Sequence, residues 1–393
     1  MEQLTLFDMP SIADKWQVQN FSADNFGQQS ARMSLEQKLI PITIVSDDFS
    51  RQSVSYQLSK NDCLHRWLKY KEGFSADLVK KLLQEFGIKA GDTVLDPFAG
   101  SGTTNLVCKM QGINSIGFDI LPMSKIAIEA KQSVYKYDLK EIKQIISEIE
   151  QLEIPENYNR RTPYINITDG AYPENTEKEI AFFTEWNENN NHSKYANNLV
   201  TLCILNSLEK VSYTAKDGQF LRWDYRSKKM RESAEYREKN GKAPLVIRLD
   251  KGNLPSLKQS LLDELKSVCQ DIVIIQKSGA KILESDLQFI EGNALYELQK
   301  HDDNILNGVI TSPPYCNRYD YTRTYALELA YLGITDEKLK TLRQELLSCT
   351  VENKPKIDYI KENYEKLGKK SDFDTIIKII KKNKTLAEVN QSL

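Results

Sequence analysis

The pattern of apolar and polar residues changes character along the chain. Residues 1–60 are polar and weakly periodic, so we expect a flexible or partly ordered arm that contributes little to the core. Beyond residue 64 the apolar positions adopt helical spacing, which predicts a helix with Ser75 as its N-cap and Gly87 after its end. The apolar face of this helix comprises Leu78, Val79, Leu82, Leu83 and Phe86.

A strand, a turn, a helix and a second strand are predicted next. The apolar run that begins at Thr93 predicts a buried strand, and DPFAGSGTT at residues 96–104 predicts a tight turn. The stretch TTNLVCKMQG predicts a helix that closes at Gly112, and INSIGFDI predicts a strand that ends at Asp119. This order of elements is the unit of a doubly wound sheet, so we predict an α/β fold with helices on both faces of the sheet.

The turn at residues 96–104 would lie at the carboxyl edge of that sheet, where glycines let a ligand approach the backbone closely. Asp119 is placed to accept hydrogen bonds from both hydroxyls of a ribose. The turn lacks the third glycine of a dinucleotide site and the lysine of a phosphate-binding loop, which favours S-adenosylmethionine over a nucleotide. The carboxylate of Asp96 would then face a cation. The alternative is a tight turn in which Asp96 only caps a helix.

A second informative stretch follows an apolar strand predicted from Gly308 to Thr311. Two consecutive prolines hold the backbone extended and direct its carbonyls forward. A serine hydroxyl and a proline carbonyl there can hold the hydrogens of an aromatic amine, and a tyrosine offers a face on which a base stacks. The alternative is an extended strand exit with a packed tyrosine. The candidate catalytic residues are Ser312, Pro313, Pro314 and Tyr315.

The pairing of DPFAGSGTT with TSPPY resembles the amino-methyltransferases of DNA, which methylate cytosine at N4 or adenine at N6, mostly in bacterial restriction-modification systems. The resemblance covers about residues 65–135 and 285–333. It implies a Rossmann-like sheet, S-adenosylmethionine as cofactor, double-stranded DNA as partner and direct methyl transfer without a metal. The serine form of the tetrapeptide is similar to the N4-cytosine members. Adenine N6 is the first alternative, and an RNA amino-methyltransferase or an inactive subunit of a split enzyme is the second.

The resemblance also implies further cofactor contacts. HRWLKYKEGF resembles the family segment before the first strand, which helps to enclose the methionine part of the cofactor, and Phe74 is the candidate there. FIEGNALYEL resembles the third-strand segment, where Asn293 replaces the usual acid near the adenine. The predicted cofactor-binding residues are Phe74, Asp96, Phe98, Ala99, Gly100, Ser101, Gly102, Thr103, Asp119 and Asn293.

The net charge of the whole chain gives no attraction to nucleic acid, but one segment is locally basic. The chain has 53 basic and 55 acidic residues, a net charge of -2, so nucleic-acid binding would need a local basic surface. Residues 220–242 are rich in Lys and Arg interleaved with aromatic residues, which is typical of a DNA-facing surface but also of a solvated helix. The candidate DNA contacts are Arg222, Trp223, Arg226, Lys228, Lys229 and Arg231.

Composition and the amino end indicate location and partners. The six cysteines form no CxxC pair, and the three histidines supply no zinc spacing, so we expect reduced thiols and no metal. No apolar run is long enough to cross a membrane, and the amino end lacks a secretion signal, so we expect a cytoplasmic protein. Residues Gln3 to Phe7, QLTLF, resemble the peptide that docks on bacterial sliding clamps, which would be a further partner.

The carboxyl end shows helical spacing where the resemblance implies three more strands. We therefore expect an incomplete carboxyl-terminal half of the sheet, completed by a second polypeptide, unless APLVIRL (243–249) or DIVIIQ (271–276) supplies strands. The predicted organisation is an arm at 1–60, a cofactor-binding half at 61–135, a mostly helical DNA-recognition insertion at 136–284, a catalytic part at 285–333 and a helical tail at 334–393.

Overall fold

The computed structural model describes residues 37–42, 52–217, 220–244, 246, 249–278, 285–314, 320–346, 357–366 and 368–382. The chain divides into two compact units. The larger contains residues 49–315 and 319–347, and the smaller contains residues 1–48, 316–318 and 348–393. No helix of the described residues is long and apolar enough to cross a bilayer.

The elements alternate between strands and helices at first and become mainly helical afterwards. The strands are β1 Thr93–Asp96, β2 Asn114–Asp119, β3 Thr214–Asp217, β4 Phe220–Trp223, β5 Leu287–Glu291 and β6 Gly308–Val309. The helices are α1 Ala76–Glu85, α2 Thr103–Met110, α3 Pro122–Gln132, α4 Leu139–Gln151, α5 Glu174–Asn189, α6 Lys194–Val211, α7 Lys228–Lys239, α8 Leu257–Lys277, α9 Ala294–Glu297, α10 Tyr321–Thr324, α11 Ala326–Tyr331, α12 Asp336–Glu345, α13 Ile357–Lys366 and α14 Lys370–Lys382.

The larger unit is built on a four-stranded sheet in the order β5-β2-β1-β6. All three strand pairs are parallel. Helices α2 and α3 follow β1 and β2, as a doubly wound sheet requires. The predicted α/β fold, with its strand-turn-helix-strand opening, is confirmed.

Helix α1 begins and ends where its sequence signals indicate. The Ser75 side chain accepts a hydrogen bond from the Leu78 backbone N–H at 3.2 Å, and Gly87 has a φ of +66°. Val79 and Leu83 are buried against the first strand, in a core that includes Val94. Phe86, which the periodicity assigned to the apolar face, is 66% exposed because the helix ends at Glu85 and Phe86 is already its C-cap.

The insertion between β2 and β5 is mostly helical and packs against the sheet layer. Helix α6 packs on α3, and α8 packs on both α6 and α4. Strands β3 and β4 form a separate antiparallel hairpin. The sequence DIVIIQ lies within α8, so it supplies no strand to the sheet. Its buried members Asp271, Ile272 and Ile275 recur at helical rather than alternating spacing, which explains why the strand alternative is wrong for this stretch. The other stretch, APLVIRL, lies partly outside the described residues.

Only helices follow β6 in the described part of the chain. Within those residues β6 pairs with β1 alone, and Val309 is 53% exposed. Helices α13 and α14 belong to the smaller unit and pack together, with the rings of Tyr364 and Phe373 5.7 Å apart.

Candidate active site

A cleft opens at the carboxyl ends of the parallel strands. It contains about 800 Å³ of space, part of it open to solvent. Its walls include the residues that follow all four strands: 97–101 after β1, 119–121 after β2, 292–294 after β5, and Ser312 and Pro314 after β6. Ligands of open α/β sheets bind at this edge, which makes the cleft the candidate active site.

The glycine-rich turn forms the floor of the cleft. Gly100 has a φ of +53°, and a Cβ there would lie 2.7 Å from Cε1 of Tyr70, so only glycine fits under that ring. Gly102 also has a positive φ, but a Cβ there would collide with Ile128 of α3. Gly102 therefore serves helix packing and does not line the cleft, whereas the predicted residues Phe98, Ala99, Gly100, Ser101 and Thr103 do.

A buried lysine stabilises the glycine-rich turn. Lys131 of α3 is 1% exposed, and its Nζ donates to the Ser101 carbonyl at 2.7 Å. Burial lowers the pKa of Lys131 to about 7. The turn is thus held by a side-chain donor as well as by its own backbone hydrogen bonds.

Asp119 lines the cleft in a fixed orientation. One carboxylate oxygen accepts from the Gly100 backbone N–H at 2.8 Å, and the other accepts from the Leu121 N–H at 2.8 Å. Burial raises the pKa of Asp119, and the hydrogen bonds from Leu121 and Gly100 oppose that rise. Because each carboxylate oxygen has more than one lone pair, Asp119 retains acceptor capacity toward the cleft.

Asp96 is not among the described residues that line the cleft. It is 1% exposed and lies behind the cleft wall, where Oδ1 accepts from the Thr311 hydroxyl at 2.7 Å and from the Phe98 N–H at 3.2 Å. Burial raises the pKa of Asp96 to about 6, and the Thr311 hydrogen bond acts in the opposite direction. Asp96 therefore ties the turn after β1 to the segment after β6.

Asn293 lines the cleft at the end of β5. Its Oδ1 accepts from the Leu295 N–H at 2.9 Å, which caps α9, and its Nδ2 donates to the Glu345 carbonyl at 2.7 Å. Both polar atoms of the amide therefore have protein partners. Asn293 shapes the wall and holds the end of α12 against it.

The predicted catalytic segment forms the part of the cleft wall that follows β6. Ser312 and Pro314 line the cleft, whereas Pro313 is exposed. Tyr315 lies outside the described residues. Ser312 follows Thr311 directly, so the hydrogen bond from Thr311 to Asp96 connects this segment to the glycine-rich turn.

Several residues of the cleft escaped the sequence analysis. Phe74 lines it as predicted, but so do Tyr70 and Glu72 of the same quoted segment. The Tyr70 ring stacks on Tyr325 with centroids 5.0 Å apart and planes 9° apart. The remaining unpredicted wall residues include Tyr321, Glu345 and Leu346.

Comparisons with known proteins identify the family. A family model described as "DNA methylase" matches residues 10–129, and one described as "D12 class N6 adenine-specific DNA methyltransferase" matches residues 75–244. The chain is 47% identical to the Type II methyltransferase M.BsoBI of Geobacillus stearothermophilus over 378 residues, which is 96% of this chain and 74% of the relative. It is 36% identical to the Type II methyltransferase M.AvaI of a Nostoc species over 346 residues, 85% of this chain and 68% of the relative. The chain belongs to the DNA amino-methyltransferases.

The basic segment of this DNA amino-methyltransferase, residues 220–242, is largely exposed. No residue of α7 is buried. The Lys229 ammonium lies 4.7 Å from the centre of the Trp223 ring. The guanidinium of Arg226 instead forms two 2.8 Å hydrogen bonds to the buried Asp224, so it braces the turn before α7. The other predicted DNA contacts, Arg222, Lys228, Lys229 and Arg231, are exposed.

Proposed function

We propose that this protein transfers a methyl group from S-adenosylmethionine to the N4 amine of a cytosine flipped out of double-stranded DNA. The observation that carries the proposal is the single cleft that joins the glycine-rich turn, Asp119 and Ser312. Each was assigned from a different part of the chain, and the sheet brings all of them to one edge. Membership of the DNA amino-methyltransferases supports the reaction class.

The walls of the cleft suit this cofactor. The absence of a side chain at Gly100 lets the Tyr70 ring lie directly against the turn, so the turn and this ring together form part of the cleft wall. The described lining residues include three carboxylates, those of Glu72, Asp119 and Glu345, and no Lys or Arg. S-Adenosylmethionine carries an overall positive charge and no phosphate, and it supplies an electrophilic methyl group on sulfur. A cation-free, acidic cleft favours such a ligand over a nucleotide.

The protein's own residues have separate tasks in the proposed reaction. The turn at residues 97–101 and Asp119 bind and orient the adenosine portion. Ser312 and the carbonyl of Pro313 accept hydrogen bonds from the target amine, which favours the pyramidal geometry needed for attack on the methyl group. We assign Tyr315 the stacking face for the flipped base. Positioning of this kind lowers the barrier because the reacting groups meet already oriented.

Adenine N6 is the second candidate target. The match of the D12-class adenine-specific model to residues 75–244 favours it, whereas the serine at the first position of the tetrapeptide favours cytosine N4. Transfer of tritium from labelled S-adenosylmethionine into DNA, followed by nucleoside analysis, separates the two. We expect labelled N4-methylcytosine. Labelled N6-methyladenine would establish the second candidate, and label in RNA alone would contradict both.

The biological setting follows from the named relatives. M.BsoBI and M.AvaI are Type II methyltransferases, so we propose that this protein acts in a restriction-modification system and modifies the DNA site that a companion endonuclease cuts.

We propose that further strands pair with the outer edge of β6. In the described residues β6 is an end strand and Val309 is exposed, which supports this proposal because proteins cover unpaired sheet edges. Activity of the purified chain as a monodisperse monomer would contradict it, and activity that appears only with a strand-rich partner would support it.

The docking peptide at Gln3 to Phe7 lies outside the described residues and stays a prediction. We expect residues 1–15 to retain a bacterial sliding clamp in a pull-down. The paired change of Leu6→Ala and Phe7→Ala should abolish this retention, since the apolar end would be lost.

A further inference from the structure

The cleft has two ends that can be told apart by strand order. Asp119 ends β2, and Asn293 follows the neighbouring outer strand β5. The segment from Tyr70 to Phe74 lies instead over Gly100, which follows β1 on the other side of β2. With the ribose at Asp119 and the adenine toward Asn293, the methionine part of the cofactor extends toward the Tyr70–Phe74 segment.

Glu72 is the carboxylate at this methionine end. The hydroxyl of Tyr325 donates a hydrogen bond to the Glu72 carboxylate. The same hydroxyl accepts from the Lys71 backbone N–H at 3.1 Å, so its proton is directed at Glu72. The neighbouring Lys71 ammonium donates its hydrogen bond to the Lys216 carbonyl, while its charge also interacts with Glu72.

Tyr325 is itself immobilised. It is 1% exposed, and its ring stacks on Tyr70. The Lys216 ammonium lies 4.4 Å from the centre of the same ring and forms a buried ion pair with Glu328. Burial and then the charge of Glu72 raise the pKa of Tyr325 well above its usual value, so Tyr325 remains a neutral donor.

We infer that Glu72 binds the ammonium group of the methionine part of S-adenosylmethionine and that Tyr325 positions it for this contact. The inference rests on the proposed function. An ammonium donates hydrogen bonds to a carboxylate, whereas a carboxylate placed against the sulfonium would itself compete for the methyl group. The ammonium is therefore the partner that this carboxylate suits.

Two ligands test the contact by calorimetry without any need for catalysis. S-Adenosylhomocysteine keeps the ammonium, and methylthioadenosine has the adenosine but no amino-acid part. In Glu72→Gln we expect the Kd of S-adenosylhomocysteine to rise by about tenfold or more, as loss of a charge-assisted hydrogen bond predicts. The Kd of methylthioadenosine should stay within about twofold of the wild-type value, because that ligand does not reach Glu72.

A matched control is Glu345→Gln at the adenine end of the cleft. It should leave the ratio of the two dissociation constants as in the wild type. Equal weakening of both ligands by Glu72→Gln would overturn the inference, because Glu72 would then only support the fold. Failure of the wild-type protein to bind either ligand would contradict the proposed function instead.

Tyr325→Phe tests the positioning role separately. It keeps the ring and its stacking on Tyr70 but removes the proton donated to Glu72. We expect a smaller rise in the Kd of S-adenosylhomocysteine, again without change for methylthioadenosine. Tyr331→Phe is the control. Tyr331 ends α11, the helix that follows Tyr325, and its hydroxyl accepts from the Thr184 hydroxyl at 3.3 Å, outside the cleft. An equal effect of both tyrosine changes would contradict the positioning role.

Discussion

The floor of the cleft and the basic segment are both conspicuous in the sequence, yet they are constructed differently. At the floor, Gly100 has no room for a side chain, and Asp119 and Asp96 have hydrogen-bond partners at fixed distances. In the basic segment, α7 has no buried residue, and Arg226 is the predicted DNA contact most firmly engaged by the protein itself. Single substitutions at the floor should therefore cause large losses of cofactor affinity, whereas substitutions in the basic segment should cause small losses of DNA affinity.

The sharpest test of this contrast is Gly100→Ala. The left-handed backbone costs a residue with a Cβ about 1–2 kcal/mol, and the overlap with Tyr70 adds a packing cost of about 1–3 kcal/mol. We expect the Kd of S-adenosylmethionine to rise by about 30-fold or more, since the two costs together come to about 2–5 kcal/mol. Gly241→Ala is the matched control, because Gly241 has a φ of +59° and no atom lies within 4 Å of an added Cβ. Equal losses in calorimetric affinity for both variants would contradict a special role for Gly100.

Asp119→Ala should weaken cofactor binding less severely. Loss of the acceptors for the ribose hydroxyls costs about 1–3 kcal/mol, which calorimetry with S-adenosylmethionine would measure. Asp119→Asn keeps the shape but places an amide NH2 against one of the two backbone N–H donors, so we expect a loss of similar size. An unchanged affinity in Asp119→Ala would remove Asp119 from the cofactor site.

Thr311→Val probes the link between the turn and the catalytic segment. The change preserves side-chain shape but removes the hydroxyl that donates to Asp96. We expect the rate of methyl transfer to fall by about tenfold, because a small displacement of Ser312 misaligns the amine. The Kd of S-adenosylmethionine should change by less than about twofold, because Thr311 is not a ligand contact.

Thr201→Val is the control for Thr311→Val, since the Thr201 hydroxyl donates to the Asn197 carbonyl at 3.0 Å and accepts from the Asn187 amide at 3.0 Å, outside the cleft. A loss of cofactor affinity in Thr311→Val as large as its loss of rate would show that the hydrogen bond to Asp96 shapes the cofactor site rather than the catalytic segment.

The smallest and most graded effect is expected in the basic segment. The double change Lys229→Ala with Arg231→Ala should weaken DNA binding about equally for all sequences and reduce the salt slope of log K by about 2, because two phosphate contacts are lost. The pair Lys89→Ala and Lys277→Ala removes two exposed cations elsewhere and should leave the slope unchanged. An equal reduction in both pairs would mean that residues 220–242 have no specific role in DNA binding.

Local rules account for what the sequence predicted well. The helix from Ala76 begins at Ser75 because a serine side chain can cap a backbone N–H three residues away. The tight turn before α2 requires glycine because its backbone adopts positive φ. The change from continuous apolar runs to apolar residues at 3.6-residue spacing predicts the order of strands and helices. The α/β fold and the location of the cleft could therefore both be predicted from the sequence.

Long-range packing decided the rest. The sequence alone identified the cleft segments that follow the four strands, since each is encoded by neighbouring residues, but it did not identify the wall formed by Tyr321, Glu345 and Leu346. It could not show that Asp96 binds Thr311, 215 positions away, or that Tyr325 binds Glu72, 253 positions away. A buried carboxylate must find a donor, but the nearest donor depends on how strands and helices from distant parts of the chain pack. Only the tertiary structure therefore shows that Asp96 is buried beside the cleft and that Glu72 lines the cleft.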